Sequence, residues 1–437
     1  MKSTTAQDAH NLLKVLLLTT SFPLTRASRS GIFIKKMVNH LPENVQVTVL
    51  TPDSAEADSQ SSDDYPVDYS VIPFRYAPKH WQQLAHRSGG IMAALSRNKF
   101  LFLLLPPFLF SNLLTCCYFA RKADLLHANW SINGVIAGIA GLLFGKPVMT
   151  TLRGSDVNLI EKSALMRRLV HFCLRFSEVI ITVSPSLQEK LVEHFPQYSA
   201  KVRVICNGID QAFFDAGNGQ YAKGKYAAES DQDVEGIKDI SPVVQEAAPV
   251  RFLYAGNLTA GKGVDVILKA AAFLSSEMSP VMSSRKWSLD IIGDGPEQGA
   301  LEGYCQEQDL ETEVTFHGSA PPEGIPLLMA GADVFVFASF AEGRPNVVLE
   351  AMAIGLPVIA GKIPAVSDLI ENGQQGLLFP PGDVNVLAEH MALLIDDPAE
   401  RRKMGREAGE SIRAMGLSWQ EAARAYASLY TEIAEKV

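Results

Sequence analysis

Glu342 and Glu350 enclose seven residues that include Gly343 and Pro345. Carboxylates accept hydrogen bonds from hydroxyls, so such a pair could receive a ribose at one end and a sugar at the other. Gly343 lets a ligand come close to the backbone. Pro345 suits the first turn of a helix, where an N–H is to spare. Asn346 onwards then reads as a helix closed by Gly355 and Pro357. The start of that helix would aim unpaired N–H groups and a positive dipole end outward, which is a seat for phosphate. The helix taken alone also fits an ordinary surface element with two solvated glutamates.

Positioning such a site takes more than one core. The chain has 437 residues, which fits two domains of about 200 residues each. Short apolar runs at 15–20, 45–51, 125–128, 147–152, 179–183 and 202–206 read as strands, with helical stretches between most of them. This is the rhythm of βαβ units and a parallel sheet. The rhythm stops in a polar stretch, 215–250, which reads as a linker or surface insertion. There the Asp231 and Asp233 pair is expected to be solvated charge. It restarts with strands at 251–255, 288–292, 314–317, 334–338, 357–360 and 376–379. The expected organisation is an N-terminal domain 1–214, a linker 215–250, a C-terminal domain 251–415 and a terminal helix 416–437. That helix starts at a capping box, Ser418 to Glu421, and a return to the first domain is one option for it. Doubly wound sheets bind ligands at the carboxyl ends of their strands, so the site is expected there.

Composition removes several classes. Lys plus Arg number 39 against 48 Asp plus Glu, a net charge of −9, which disfavours a nucleic-acid partner. Five cysteines without a CxxC argue against a disulfide framework or a zinc site and fit a reducing cytoplasm. Nine histidines without an HExxH pair give no reason to expect a metal. The N-terminal apolar run carries Lys14 and reads as a first strand rather than a signal peptide. The stretch 100–120 holds no charged residue and has basic residues on both flanks. It admits three readings: a pair of core helices, an apolar patch resting on a membrane face, or a span. The double proline, Pro106-Pro107, is expected to break a helix there, which counts against the span.

Taken in order, these segments resemble the family 4 glycosyltransferases, retaining enzymes of GT-B architecture in which two Rossmann-like domains face a cleft. The resemblance covers nearly the whole chain. Glu342 and Glu350 match the family's E-x7-E element. The stretch from Tyr254 through Gly256, Asn257 and Lys262 to Gly263 resembles its diphosphate loop. Gly293, Asp294, Gly295 and Pro296 resemble its Gly-Asp-Gly-Pro turn, and Asn207-Gly208 fits a late strand of the first domain. The resemblance implies transfer of a sugar from a UDP- or GDP-sugar to a glycan or lipid-linked acceptor, with the anomeric configuration kept. No cofactor or metal is implied. A setting in cell-surface polysaccharide synthesis follows, in the cytoplasm or peripherally on the inner membrane face. Lys262 would neutralise the donor phosphates and Glu350 would hold the ribose. Glu342 would face the donor sugar, helped by backbone N–H groups of Gly343 and Arg344. Gly31 would pass close to the diphosphate or acceptor, or serve as a plain βα turn. Arg26, Arg29, Lys35 and Lys36 would make that region basic.

Two positions depart from the family. Asn257 stands where arginine is frequent, so Lys262 would carry more of the charge. Arg153 stands where histidine is frequent. Arginine is no general base at neutral pH, but it can orient a phosphate or hydroxyl, with Asp156 fixing its fork, or form a structural pair with Asp156. His127 is read as a satisfied core histidine. A nucleotide-sugar 2-epimerase and a non-catalytic scaffold subunit are the two competing functions on this architecture.

Overall fold

The structure, a computed structural model, describes residues 12–24, 31–54, 69–86, 91, 94–95, 98–219, 249–276 and 286–436. The stretch containing Asp231 and Asp233, and the loop residues Arg26 and Arg29, lie outside the described residues. The chain forms two units, Met1–Gly208 with Trp419–Val437, and Ile209–Ser418.

The first unit is built on seven parallel strands in the order β3-β2-β1-β4-β5-β6-β7. They are β1 Leu13–Leu18, β2 Val45–Pro52, β3 Tyr69–Phe74, β4 Leu125–Asn129, β5 Val148–Leu152, β6 Val179–Thr182 and β7 Val202–Val204. The sheet is covered on both sides, which is why β1 is apolar and buried from Val15 to Leu18. Val15, Leu17, Val47 and Val49 pack with Ile34, Met37, Tyr426 and Tyr430. Leu16, Leu18, Leu126 and Ala128 pack with Phe108, Cys116 and Ala137. The helix Trp419–Ala434 therefore completes the first unit's core. β3 was not anticipated from the sequence. It is an edge strand carrying Pro73, and an edge is where a sheet tolerates a residue without an N–H.

The stretch 100–120 differs from the expected broken helix. A 3-10 turn, Lys99–Leu104, is capped by the Asn98 side chain, and one α-helix, Leu105–Ala120, follows. Pro106 and Pro107 sit in its first turn, where their missing N–H groups cost nothing, so they start the helix instead of breaking it. Phe108, Asn112, Cys116 and Ala120 recur every fourth residue and form the buried stripe. Fully burying Phe108 alone is worth roughly 1.5–3 kcal/mol. The stretch Lys99–Ala120 is long and apolar enough to cross a membrane, yet this stripe belongs to the core.

The second unit has six parallel strands in the order β10-β9-β8-β11-β12-β13. They are β8 Val250–Ala255, β9 Trp287–Ile292, β10 Val314–Gly318, β11 Val334–Phe337, β12 Val358–Gly361 and β13 Gly376–Phe379. The unit begins at Ile209, earlier than the 214/215 boundary read from the sequence. The helix Gln211–Gly217 places Phe213 and Ala216 in the same core as Leu349, Met352 and Phe335. In both sheets the strand order reverses once, between β1 and β4 and between β8 and β11. Ligands of such sheets bind outside the carboxyl ends at these switch points.

Candidate functional site

The second switch point gathers the chemistry-bearing residues of the second unit. After β8, the chain turns through Gly256 and Asn257 into the short 3-10 turn Ala260–Lys262. Gly263 then starts the helix Val264–Ser276 in the left-handed region, at φ 65°. A Cβ on Gly263 would lie 2.3 Å from the carbonyl oxygen of Ala338, so no other residue fits without moving β11. After β11, Ser339 and Phe340 lead to Glu342.

These two loops are tied together. The Phe340 N–H donates to the Gly261 carbonyl at 3.0 Å, and Ser339 Oγ lies 3.2 Å from the same carbonyl oxygen. Lys262 Nζ donates to Glu342 Oε1 in a tight ion pair, and Ser339 Oγ donates to that same oxygen at 2.9 Å. Both partners are partly exposed at the carboxyl end of the sheet. Glu342 thus orients the one cation of this loop.

The loop after β9 locks onto the loop after β8. Gly293 sits so close to Gly256 that a Cβ would meet its carbonyl oxygen at 1.9 Å. The Leu258 N–H donates to the Asp294 carbonyl at 2.7 Å, and the Glu297 N–H donates to the Leu258 carbonyl at 3.1 Å. Tyr254 is buried beneath the loop and donates its hydroxyl to the Asn257 carbonyl at 3.1 Å. Burial, with the Glu342 charge second, pushes the Tyr254 phenol far above its ordinary value, so it stays a neutral donor. The loop carrying Gly256, Asn257 and Lys262 is therefore held by backbone bonds on both sides, while the Gly256 and Asn257 surfaces remain exposed.

The helix anticipated from Asn346 spans Asn346–Ile354, with Pro345 as its N-cap and Gly355 closing it at φ 93°. Gly343, Arg344 and Pro345 are buried, and Asn346 and Glu350 are partly exposed. Glu350 lies one turn into the helix, after Asn346 has opened it. The buried face, Val348, Leu349, Met352 and Ala353, anchors the helix in the second core. Among the described residues no group of three or more His, Cys, Asp or Glu could hold a metal ion.

The remaining expected residues lie in the first unit. Gly31 adopts φ 77° at the start of the helix Ile32–Asn39, and a Cβ there would meet the Ser21 carbonyl oxygen at 2.0 Å. The turn's own close approach therefore accounts for this glycine. Arg153, just beyond β5, donates from Nε to Asn129 Oδ1 at 2.9 Å and from Nη1 to Asn207 Oδ1 at 3.1 Å. Its guanidinium carbon lies 4.4 Å from the centre of the Phe33 ring. Asp156 does not fix this fork, contrary to expectation. It accepts the Ser131 N–H at 2.6 Å, and among the described residues it forms no ion pair with Arg153. Burial raises the Asp156 pKa, against the Ser131 bond that lowers it. Arg153 is thus presented by two asparagines, one ending β4 and one in the loop after β7, a pairing that local sequence does not give.

His127 is the satisfied core histidine it was read as. Its Nδ1 is 2.7 Å from the Tyr430 hydroxyl and its Nε2 is 2.9 Å from Thr151 Oγ1. Burial, and then the Arg153 charge, lower its pKa to about 3. It is neutral at physiological pH.

Comparison with known proteins assigns the fold and the class. The family model described as "Glycosyl transferases group 1" matches residues 239–411, and that described as "Glycosyltransferase Family 4" matches 30–213. The N-acetyl-alpha-D-glucosaminyl L-malate synthase of Bacillus anthracis is 25% identical over 295 residues, covering 67% of this chain and 70% of the relative. A D-inositol 3-phosphate glycosyltransferase of Arthrobacter sp. is 28% identical over 315 residues, 69% of each. The solved structure of Anabaena Alr3699/HepE in complex with UDP-glucose superposes with a TM-score of 0.68 at 19% identity, over 96% of this chain and all of the other. Sucrose-phosphate synthase from Thermosynechococcus elongatus gives 0.71 at 20% identity, over 97% of this chain and 100% of the other.

Proposed function

Because the chain belongs to the family 4, group 1 glycosyltransferases of GT-B fold, we propose that it moves a sugar from a nucleoside-diphosphate sugar to a hydroxyl of a glycan or lipid-linked acceptor, with retention and without a metal. The observation that carries this is the Lys262–Glu342 pair, held at the switch point of the second sheet by three interlocked loops. A fixed cation where two β-strands part is suited to a diphosphate that gains charge as its sugar leaves.

In this reading the second unit takes the donor. Lys262 meets the diphosphate beside the exposed turn of Gly256 and Asn257. The start of the helix at Asn346, preceded by Gly343, Arg344 and Pro345, adds its dipole. Glu350 accepts the ribose hydroxyls. Glu342 orients Lys262 and lies beside the sugar. Arg153, in the first unit, orients the acceptor. The bond from the anomeric carbon to the diphosphate oxygen breaks as the acceptor oxygen attacks from the same face. The acceptor's proton passes to the departing diphosphate. A UDP-sugar is favoured by the UDP-glucose complex of the Anabaena relative in fold. The setting is the synthesis of cell-surface polysaccharide at the cytoplasmic face of a membrane.

Incubation with labelled UDP- and GDP-sugars, with and without lipid and glycan acceptors, tests the proposal. Label appearing on an acceptor is the expected result. Isomerised nucleotide sugar formed without acceptor would replace the proposal with an epimerase. Neither product, with no donor-induced rise in melting temperature, would leave a scaffold.

A further inference from the structure

The helices on one side of the first sheet form a continuous layer: Leu105–Ala120 packs on Ser131–Phe144, which packs on Ala164–Phe176. Their inner stripes are spent on the core, but their outer faces are apolar as well. Along Leu105–Ala120 the outward positions are Phe110, Leu114 and Tyr118, a four-residue spacing opposite the buried stripe. The preceding 3-10 turn leaves Phe100 80% and Leu103 75% exposed. The middle helix exposes Leu142 (72%) and Leu143, and the third exposes Leu165 (76%) and Phe172. Monomeric proteins scatter exposed apolar residues singly, whereas here they are gathered on three adjacent helices.

The three helices themselves carry charge of one sign. Between Lys99 and Phe144 the only acidic residue is Asp124, whose Oδ2 accepts the backbone N–H of Lys14 at 2.8 Å. The helix Ala164–Phe176 carries Arg167, Arg168 and Arg175 and no acid. At the end of Leu105–Ala120, Arg121 and Lys122 line a recess with Lys14, Gln46 and Thr48. Lys122 Nζ lies 5.5 Å from the Tyr118 ring centre, and the Arg121 guanidinium 5.0 Å from that of Phe144. An aromatic body with a basic head beside it suits the boundary between acyl chains and headgroups.

We propose that this three-helix face is a docking surface for an anionic lipid bilayer, and that the basic residues at its rim grip the headgroup phosphates. The apolar positions enter the acyl boundary, and the helices lie along the membrane plane. A span is excluded by the core stripe: Asn112 donates to Asn133 Oδ1 at 3.0 Å and, with Phe108 and Cys116, is buried within the unit. A second copy of the chain is the poorer occupant, because basic rim would meet basic rim. The inference gives the membrane setting proposed above a definite surface and does not depend on the donor chemistry.

The test is co-sedimentation of the full chain with phosphatidylcholine vesicles, with and without phosphatidylglycerol. The wild type is expected to pellet with the anionic vesicles and to be released as salt rises. The Leu114→Glu/Leu142→Glu double variant should lose binding by at least about tenfold. The Arg121→Glu/Lys122→Glu variant, altered only at exposed rim positions, should also lose anionic binding. Both should keep the wild-type melting temperature. Wild type remaining in the supernatant would overturn the proposal, and so would either variant pelleting like wild type. A concentration-dependent dimer abolished by the Leu114/Leu142 change would assign the face to a second copy instead. Donor-induced thermal shift, measured on the same preparations, reports the glycosyltransferase reading separately: vesicle binding without that shift sinks the reading and leaves this inference standing.

Discussion

Lys262 and Glu342 come from loops after two neighbouring strands, β8 and β11, and form an ion pair that Ser339 braces. Both side chains are partly exposed, so the pair adds little to stability, about 0–1 kcal/mol. Its value lies in placing a charge. Lys262→Ala should therefore lower sugar transfer at least about 100-fold, the size of losing one preorganised charge contact. Its midpoint of urea unfolding should stay close to wild type. Steady-state kinetics beside equilibrium unfolding checks both halves. Turnover and stability falling together would make the lysine structural.

The geometry around Gly263 gives a prediction with an internal control. Gly263 has φ 65° and no room for a Cβ, while Gly261 in the same turn has open space where its Cβ would be. Gly263→Ala should cost about 1–3 kcal/mol and displace Lys262. Gly261→Ala should cost well under that. Chemical denaturation of the two single variants decides it, and equal losses would contradict the structure's account of this turn.

What could be read in the sequence was local. The E-x7-E spacing, the strand rhythm and the glycine turns each lie within one stretch of chain, and the structure places the strands within a residue or two of the positions read. β3 escaped because Pro73 argues against a strand unless the strand is known to be at an edge. Pro106 and Pro107 misled for a related reason: a proline pair breaks a helix or begins one, and only the preceding turn decides which. The supports of Arg153 were out of reach. Asn129 and Asn207 are 24 and 54 residues away, brought to it by the sheet alone. Asp156, three residues along, was the obvious partner and is instead taken by the Ser131 backbone.

His127 makes folding pH-dependent. Its pKa is held at about 3 in the fold against an ordinary 6.5, so the unfolded chain binds the proton more readily. The group's contribution is complete above pH 6.5 and is lost progressively as pH falls towards 3. Between pH 7.5 and 5 the wild type should lose about 2 kcal/mol from this residue. In His127→Gln that part of the slope should vanish, at the cost of a lower stability at pH 7.5. Urea unfolding at the two pH values measures both, and an unchanged slope in the variant would mean that another group titrates.

Arg153 can be tested for a role beyond its own packing. Its fork is filled on one side by Asn129 and on the other by Asn207, and its face lies over Phe33. Lysine keeps the charge but cannot serve both asparagines or stack as a plane. Arg153→Lys should therefore lower stability by about 1–3 kcal/mol through the two unmatched amides. If the guanidinium also orients the acceptor, the acceptor KM should rise about tenfold or more while the donor-induced thermal shift is retained. The two readouts separate the cases. A weaker fold with an unchanged acceptor KM would confine Arg153 to holding the end of β4 and the loop after β7, whereas loss of the donor shift would place its effect in the second unit.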